Sequence, residues 1–400
     1  MLSESSRSII DATLPAVAEN IDRITEVFYP LMFERYPEVR AYFNQAHQAQ
    51  GSQRRALANA VVAYASNLDR LEALGDAVAL IVHKHASLNI QPQHYPIVGE
   101  CLLAAVREVL GEAASDEVLA AWGEAYQQLA DLLIEAEETV YRENAHKKGG
   151  WRGEREFRLV KKVRESEVIT SFHLVPADGG ALPEFTPGQY TTLILSIDGQ
   201  TVRRNYSLSS RPGEPFLRVS IKREPGGLVS NYLHDQLREG DSLRLTPPCG
   251  HFTLRDNGKP IVMLSGGVGL TPLMSMLPVA LEQSREVHFL HGSLNSRTHA
   301  FRADIEAYRG QYPGLRVHYC YSAPLPQDRG IANGFFDRAR LAHLLPEGDN
   351  FEVYLLGPRP FMQLAYRSLL ELGVTRERIH FEFFGPLEDL EPTEEVVAAA

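Results

Sequence analysis

The residues best suited to chemistry lie in the segment 203–209, where arginine, an aromatic ring and hydroxyl groups follow one another closely. On a β-strand, alternation places Arg204 and Tyr206 on one face, with Asn205 and Ser207 on the other. Such residues could hold a flat, phosphate-bearing cofactor, because Tyr206 can lie along a ring and the Arg204 guanidinium can bind a pyrophosphate oxygen. The same pattern also suits an edge strand with a solvated face, so the flanking sequence must decide.

Two neighbouring motifs favour the cofactor. Upstream, the segment 185–190 (Phe-Thr-Pro-Gly-Gln-Tyr) supplies a turn and a second aromatic residue, and downstream the segment 222–233 has a glycine turn that leads into a short helix. Together with the central segment, they resemble the flavin-binding barrel of the ferredoxin-reductase family. The resemblance implies an FAD held by Tyr190, Arg204, Asn205, Tyr206 and Ser207.

The composition sets limits on the class of protein. A chain of 400 residues with 44% hydrophobic and 23% charged residues indicates a globular protein of two or three domains. The formal net charge of −11 argues against nucleic acid or an anionic membrane as the main partner. Three widely spaced cysteines encode neither a disulfide framework nor a zinc or iron–sulfur site. We find no signal peptide and no run that could span a bilayer, so we expect a cytoplasmic protein.

The sequence from Leu2 to about Tyr141 is helical in pattern, with apolar residues at steps of three and four. Pro30 and Pro37 predict that the first long helix kinks or ends there. An all-α bundle and a globin both fit this region. An apolar helix closes on His83 and His85, and one of these imidazoles could ligate iron; the alternative is a histidine that caps the helix C-terminus.

Upstream residues favour the globin. A tyrosine, a phenylalanine, and a glutamine one helical turn before a leucine occur at intervals that resemble the distal wall of a bacterial globin: Tyr29, Phe43, Gln53 and Leu57. The spacing from Gln53 to His85 matches the distal-to-proximal interval of that family. The resemblance implies haem b with His85 as the iron ligand, and with Phe43 and Lys84 in contact with the cofactor.

Two further residues follow from the same resemblance. It implies that Glu135, in the last helix of this region, hydrogen-bonds the far nitrogen of His85, with Tyr95 alongside. The imidazole would then be more anionic and would push electron density toward the iron. The alternative for Glu135 is the polar face of an amphipathic helix.

A polar, glycine-rich segment at 144–153 marks the first domain boundary, and short strands separated by turn residues follow it. Such strands suit a small antiparallel barrel, closed by residues 243–252. The continuous apolar run 260–265 then indicates a buried parallel strand. It leads into a glycine loop, and strand–helix alternation beyond it predicts a doubly wound sheet.

Glycines at this strand-to-helix junction let backbone amides approach a pyrophosphate. The loop differs from the dinucleotide fingerprint Gly-x-Gly-x-x-Gly because Pro272 holds its last position, but it resembles the loop of the reductase family. The expected nicotinamide-cofactor contacts are therefore Gly267, Val268, Gly269, Leu270, Thr271 and Pro272.

The C-terminal segment 382–386 resembles the reductase segment in which an aromatic residue shields the flavin ring and an acid lies near its reactive edge. The implied contacts are Glu382, Phe383, Phe384, Gly385 and Pro386. A final sheet strand that ends at a Gly-Pro turn is compatible with this role. Leu356 departs from the family, which usually has cysteine before Gly357-Pro358. The acidic tail after Leu387 is expected to be disordered.

The three regions in this order closely resemble the bacterial flavohaemoglobins. We expect an all-α globin domain at 1–147, an antiparallel β-barrel FAD domain at 151–257, and an α/β doubly wound NAD(P)-binding domain at 258–400 that includes the acidic tail. The resemblance implies nitric oxide dioxygenation: NAD(P)H reduces FAD, FAD reduces the haem iron, and haem-bound oxygen oxidises nitric oxide to nitrate. The substrates are then small molecules, and we expect a monomer.

Two alternatives use the same electron chain, a hydroperoxide or quinone reductase and an oxygen or nitric oxide sensor. The choice of nucleotide is also open. No acid follows the second strand of the nicotinamide domain, where one would bind the ribose hydroxyl of NAD, and Arg297 stands there instead. We expect the protein to use both NADH and NADPH.

Overall fold

The computed structural model describes residues 2–43, 60–68, 75–384 and 390. Its first part is helical: α1 (Glu4–Glu19), α2 (Ile21–Arg35), a 3-10 turn (Pro37–Tyr42), α3 (Gly75–Leu88), α4 (His94–Leu110) and α5 (Asp116–His146). Residues 60–65 are also helical. The fold class expected from the sequence is confirmed, with a helical part followed by an antiparallel sheet and a parallel sheet.

The helices pack through apolar stripes at helical spacing. On α2, Ile24, Phe28 and Met32 are buried against Cys101 and Ala105 of α4 in a common core. As expected, α2 ends just before Pro37, at Arg35, whereas Pro30 lies inside the helix and does not end it. Pro30 is exposed, so the lost backbone hydrogen bond lies on the solvent side of the helix.

The helix α5 begins where the sequence indicates it should. The Ser115 hydroxyl accepts a hydrogen bond from the backbone N–H of Val118 at 3.3 Å, and two acids follow in the first turn. Buried residues then recur at steps of three and four along the helix, namely Ala130, Leu133, Glu137, Tyr141 and Asn144. This stripe turns one face of α5 toward α3, and its C-terminal end toward the barrel.

The antiparallel sheet contains β1 (Arg155–Arg164), β2 (Ile169–Pro176), β3 (Tyr190–Ile197), β4 (Gln200–Ser207), β5 (Leu217–Lys222) and β6 (Ser242–Leu245), with α6 (Leu228–Asp235) between the last two. Its strand order is β4-β3-β6-β1-β2-β5. Strands β3 and β4 form a hairpin in which Tyr190 faces Ser207 and Thr192 faces Asn205. This hairpin is the part of the barrel nearest to α3 and to the 3-10 turn.

The C-terminal sheet is parallel, with the order β10-β9-β8-β7-β11-β12. Its elements are β7 (Ile261–Gly266), α7 (Thr271–Glu282), β8 (Val287–Ser293), α8 (Arg302–Gln311), β9 (Leu315–Tyr321), β10 (Ala332–Asn333), α9 (Arg338–Leu341), β11 (Glu352–Leu356), α10 (Arg359–Glu371) and β12 (Ile379–Phe381). Every residue of β7 is buried, as expected for a central parallel strand with helices on both faces. Within the described residues, no helix is both long and apolar enough for a membrane span.

Candidate functional site

The first part of the site is a hydrogen-bonded triad on α3, α4 and α5. His85 Nδ1 lies 2.7 Å from Glu137 Oε1, and the Tyr95 hydroxyl donates to the same oxygen at 2.5 Å. Glu137 is only 2% exposed, so its charge depends on these two donors. Burial, followed by the charge of Glu137, raises the pKa of Tyr95 far above its usual range, which keeps the phenol protonated.

This geometry assigns the histidine proton. Because the Tyr95 hydroxyl and His85 Nδ1 both face a carboxylate oxygen, Nδ1 carries a proton and donates it. The lone pair of His85 then lies on Nε2, which is the donor atom that a metal ion requires. The donor set therefore fits the iron of a haem.

The expected proximal acid was in the right helix but at the wrong residue. Glu135 is exposed, and its backbone carbonyl accepts a hydrogen bond from the Thr139 hydroxyl at 3.1 Å. Two residues correspond to about 200° around an α-helix, so Glu135 and Glu137 lie on nearly opposite faces. The sequence did contain a signal for Glu137, which is the acid that interrupts the apolar stripe of α5.

The structure also separates the two histidines of α3. His83 Nδ1 accepts a hydrogen bond of 3.4 Å from the backbone N–H of Gly250, in the barrel. Burial and the nearby His251 lower the pKa of His83. His83 therefore belongs to the contact with the barrel, whereas His85 belongs to the triad.

Of the residues expected on the distal side, Tyr29 and Phe43 lie together. Their ring centroids are 5.8 Å apart in an edge-to-face arrangement, and Tyr29 is 5% exposed. Phe28 and Phe33 extend the same aromatic group. The other two expected distal residues, Gln53 and Leu57, fall outside the described residues.

The second part of the site is the contact between α3 and the barrel. Lys84 Nζ donates to Asn205 Oδ1 at 2.9 Å and lies 5.6 Å from the centre of the Tyr190 ring. Burial lowers the pKa of Lys84, and the nearby Glu382 partly offsets this effect. Burial raises the pKa of Glu382 to about 7, against the opposing influence of Lys84. A cation, an aromatic ring and an acid of near-neutral pKa thus meet beside the histidine that carries the proposed iron.

Strand β4 presents different residues on its two faces, as its alternation indicates. Arg204 Nη1 donates a hydrogen bond to the backbone carbonyl of Arg203. Burial lowers the pKa of Arg204. Among the described residues no carboxylate forms an ion pair with Arg204. A half-buried guanidinium of this kind fits a phosphate group, and Tyr206 on the same face fits the adjoining ring system.

The other face of β4 points to the globin part. The amide of Asn205 donates to Ser87 Oγ and to Thr192 Oγ1, both at 2.9 Å, while its oxygen accepts from Lys84. We therefore assign the Asn205 side chain to the interface with α3 and not, as expected from the sequence, to the cofactor. Ser207 is 8% exposed at the end of the strand, opposite Tyr190.

The third part of the site is the loop after β7. Gly267 has a φ of 54°, in the left-handed region, and the 3-10 turn Gly267–Leu270 leads directly into α7. Thr271 and Pro272 form the first turn of α7. A side chain at Gly269 would place its Cβ 2.7 Å from the backbone of Leu356, so this loop packs directly on the end of β11. The arrangement places the N-terminus of α7 directly after the glycine loop, where it fits a dinucleotide pyrophosphate.

The end of β11 and the C-terminal segment complete the cleft. Leu356 is fully buried in the core of the parallel sheet, so an apolar side chain fills the position where a cysteine was expected. Phe383 packs against Phe381 with ring centroids 5.8 Å apart, whereas Phe384 is 48% exposed and can cover a planar ligand. Gly385, Pro386 and nearly all of the acidic tail lie outside the described residues.

Comparison with known proteins agrees with the three-part site. The family model of the globins matches residues 26–133, that of the oxidoreductase FAD-binding domain matches 156–254, and that of the oxidoreductase NAD-binding domain matches 263–367. Flavohemoproteins from Pseudomonas aeruginosa and Bacillus thuringiensis are 53% and 47% identical to this chain, each over 98% of it and 100% of the relative.

Two solved structures are also similar. A flavohemoglobin from Malassezia yamatoensis with bound FAD and heme is 29% identical, with a TM-score of 0.85, over 96% of this chain and 100% of that one. The FAD/NAD-binding domain of nitric oxide dioxygenase from Vibrio cholerae is 36% identical, with a TM-score of 0.54, over 58% of this chain and 99% of that one. The chain belongs to the flavohaemoprotein family, in which a globin and an FAD- and NAD-binding reductase share one polypeptide.

Proposed function

We propose that this protein is a nitric oxide dioxygenase that uses NAD(P)H, FAD, haem b and dioxygen to convert nitric oxide into nitrate. The observation that carries the proposal is the double role of α3: His85 joins the Glu137–Tyr95 pair, and the adjacent Lys84 contacts the flavin-type strand. A storage globin has no use for a reductase contact beside its iron ligand. The Vibrio cholerae relative is named a nitric oxide dioxygenase, and the Malassezia yamatoensis relative contains FAD and heme.

The cofactors supply the redox chemistry when bound: hydride transfer from the nicotinamide, one-electron transfer from the flavin, and dioxygen chemistry at the haem. The protein supplies position and electrostatics. His85 would offer Nε2 to the iron. The carboxylate of Glu137 accepts a hydrogen bond from Nδ1–H, which makes the imidazole a stronger electron donor. Tyr95 fixes the carboxylate through its hydroxyl group.

Tyr29 is the proposed distal residue. Within the aromatic group formed with Phe43, its hydroxyl would stabilise negative charge that develops on a diatomic ligand of a bound haem. Gln53 and Leu57, which the family resemblance implies act with Tyr29 on bound oxygen, lie outside the described residues.

The reductase residues hold the flavin and the nucleotide. Arg204 and Tyr206 would hold the flavin phosphates and ring, with Tyr190 and Ser207 contributing from the same hairpin. Glu382, whose pKa burial raises to about 7 near Lys84, would be able to exchange a proton with a flavin held here. The exposed Phe384 would cover a bound flavin ring and would yield its place to a nicotinamide.

The proposal includes the organisation of the chain. We place the globin domain at 1–147, the FAD domain at 151–257 and the NAD(P) domain at 258–400, and we expect a cytoplasmic monomer that does not bind nucleic acid. The net charge of −11 supports the last point. Arg297, 58% exposed in its side chain, lies 3.6 Å from Glu167 and remains the candidate for tolerance of NADPH.

The experiment compares His85→Ala with the matched variant His83→Ala. Replacement of His85 should abolish haem binding and NADH-driven nitrate formation, while the flavin still reduces an artificial electron acceptor. Replacement of His83, two residues away but outside the triad, should preserve the haem. A His85→Ala protein with a normal Soret band and no added ligand would contradict the assignment. If the wild type made no nitrate but reduced hydroperoxides or quinones, those reactions would replace the proposed function.

A further inference from the structure

The C-terminal end of α3 has a carbonyl that its own segment does not satisfy. A helix leaves its last carbonyls without intrahelical partners. Here the Lys84 carbonyl accepts from Ser87 Oγ at 2.7 Å, and the His85 carbonyl accepts from the backbone N–H of Ile90 at 3.0 Å. The Ala86 carbonyl likewise accepts from Asn89. Ser87 is fully buried, so its carbonyl needs a donor from elsewhere.

The flavin-type barrel provides two donors. Thr192 Oγ1 donates to the Ser87 carbonyl at 2.6 Å, and Thr246 Oγ1 donates to the same oxygen at 2.7 Å. Both threonines are fully buried, and they are separated from Ser87 by 105 and 159 residues in sequence. The helix that carries His85 is thus capped by side chains of another part of the protein.

A third residue ties this cap to the flavin-type strand. Asn205 donates to Ser87 Oγ and Thr192 Oγ1, and it accepts from Lys84. The direction of each bond is determined, because each hydroxyl has one proton. The Thr192 hydroxyl donates a hydrogen bond to the Ser87 carbonyl and accepts one from Asn205. The Thr246 hydroxyl donates to the same carbonyl and accepts from the backbone N–H of Thr192 at 3.2 Å.

We infer that Thr192, Thr246 and Asn205 are positioning residues for electron transfer, because together they fix the end of α3 against β3 and β4. The inference rests on the proposed function. Strand β4 carries Arg204 and Tyr206 on one face and Asn205 on the other, so one strand holds both the electron donor's site and the helix of the iron ligand. The hydrogen bonds of these three side chains to the end of α3 fix the position of the iron-ligand helix relative to the flavin strand. The short connection between α5 and β1 alone would leave many relative positions open.

The test replaces each threonine by valine, which removes the hydroxyl group and keeps nearly the same side-chain volume. Thr192→Val, Thr246→Val and the double variant are compared in the holoenzyme with Ser196→Ala, an exposed residue of the same strand β3. Thr192→Ser restores the hydroxyl group and serves as the rescue variant. Three rates are measured: flavin reduction by NADH, anaerobic haem reduction by NADH under carbon monoxide, and amide hydrogen exchange in residues 84–90.

In the double variant, amide exchange at the end of α3 should rise about tenfold, because a buried carbonyl has lost its donors. Haem reduction should slow about tenfold through misplacement of the two sites, with flavin reduction unchanged. Thr192→Ser and Ser196→Ala should behave as the wild type. Thr192→Val alone keeps the Thr246 donor, so its amide exchange and haem reduction should change in the same direction but less. This single variant tests the inference if the double variant does not fold.

Two results would overturn the inference. Faster exchange with an unchanged rate of haem reduction would show that the cap has only a structural role, and unchanged exchange would show that the barrel does not hold the helix end. Either result leaves the proposed function intact. A wild-type protein that fails to reduce its haem with NADH would instead refute the proposed function.

Discussion

Replacement of Glu137 by glutamine tests the proximal triad directly. Glu137 Oε1 accepts from His85 Nδ1 at 2.7 Å and from the Tyr95 hydroxyl at 2.5 Å, and the residue is 2% exposed. Glutamine has nearly the same size and can still accept both hydrogen bonds through its amide oxygen. The substitution therefore removes the negative charge while it preserves the packing of α5.

The magnitude follows from the strength of hydrogen bonds to charged and neutral acceptors. A hydrogen bond to a charged group contributes about 1.5–3 kcal/mol and a neutral one about 0.5–1.5 kcal/mol, so the substitution should cost about 1–2 kcal/mol of interaction with the histidine. A one-electron potential changes by about 59 mV for each 1.4 kcal/mol. If the loss acts mainly on the oxidised haem, the midpoint potential should rise by about 40–80 mV.

The assay is the iron–histidine stretching frequency of the reduced protein, together with a redox titration of the haem. Glu137→Gln should lower the frequency and raise the potential, while haem content is retained. Glu135→Gln is the matched control, because Glu135 is exposed on nearly the opposite face of the same helix. An unchanged frequency and potential in Glu137→Gln would refute the reasoning. A change in Glu135→Gln alone would return the role to Glu135.

Three further predictions concern other parts of the protein. Glu154→Gln should lower the free energy of unfolding in urea by about 3 kcal/mol, because Arg203, only 9% exposed in its side chain, loses its charged partner; an unchanged midpoint would mean that the pair is solvated. The pKa of Glu382 is about 7 in the folded chain against 4.5 in the unfolded one, so the stability from this group is lost as the pH rises across that window. The melting temperature of Glu382→Gln minus that of the wild type should therefore increase from pH 4.5 to pH 7, and a constant difference would contradict the assignment. Arg297→Ala should lower kcat/KM for NADPH about tenfold relative to NADH if the guanidinium binds a 2′-phosphate; an unchanged ratio would leave it as a partner of Glu167 only.

Sequence patterns predicted the parts of this protein that depend on local periodicity. The buried strand β7 and its glycine loop follow from an apolar run and its turn residues, and the start of α5 follows from Ser115 and the two acids after it. The separation of Arg204 and Asn205 onto two faces of β4 follows from strand alternation. These features require no knowledge of distant residues.

Features that depend on distant contacts were not predicted. Asn205 was placed on the correct face of its strand, but its partners Lys84 and Ser87 lie 121 and 118 residues away, so the sequence could not identify them. The position of Glu137 was accessible in principle, from the buried stripe of α5. Glu135 also follows apolar residues, but only Glu137 shares the helical face of the buried residues Leu133 and Tyr141. Pro30 does not end α2, because the buried residues Ile24, Phe28 and Met32 hold the helix on both sides of it; the helix ends instead before Pro37.

The central claim is that electrons from the nucleotide reach the haem and end in nitrate. Its most direct test is the ratio of nitrate formed to NADH consumed by the wild-type holoenzyme, under oxygen with nitric oxide supplied continuously. Nitric oxide, dioxygen and one electron combine to nitrate, so the two electrons of a hydride should yield about two nitrates for each NADH. A ratio near zero, with NADH still consumed, would show that the electrons go to another acceptor and would contradict the account.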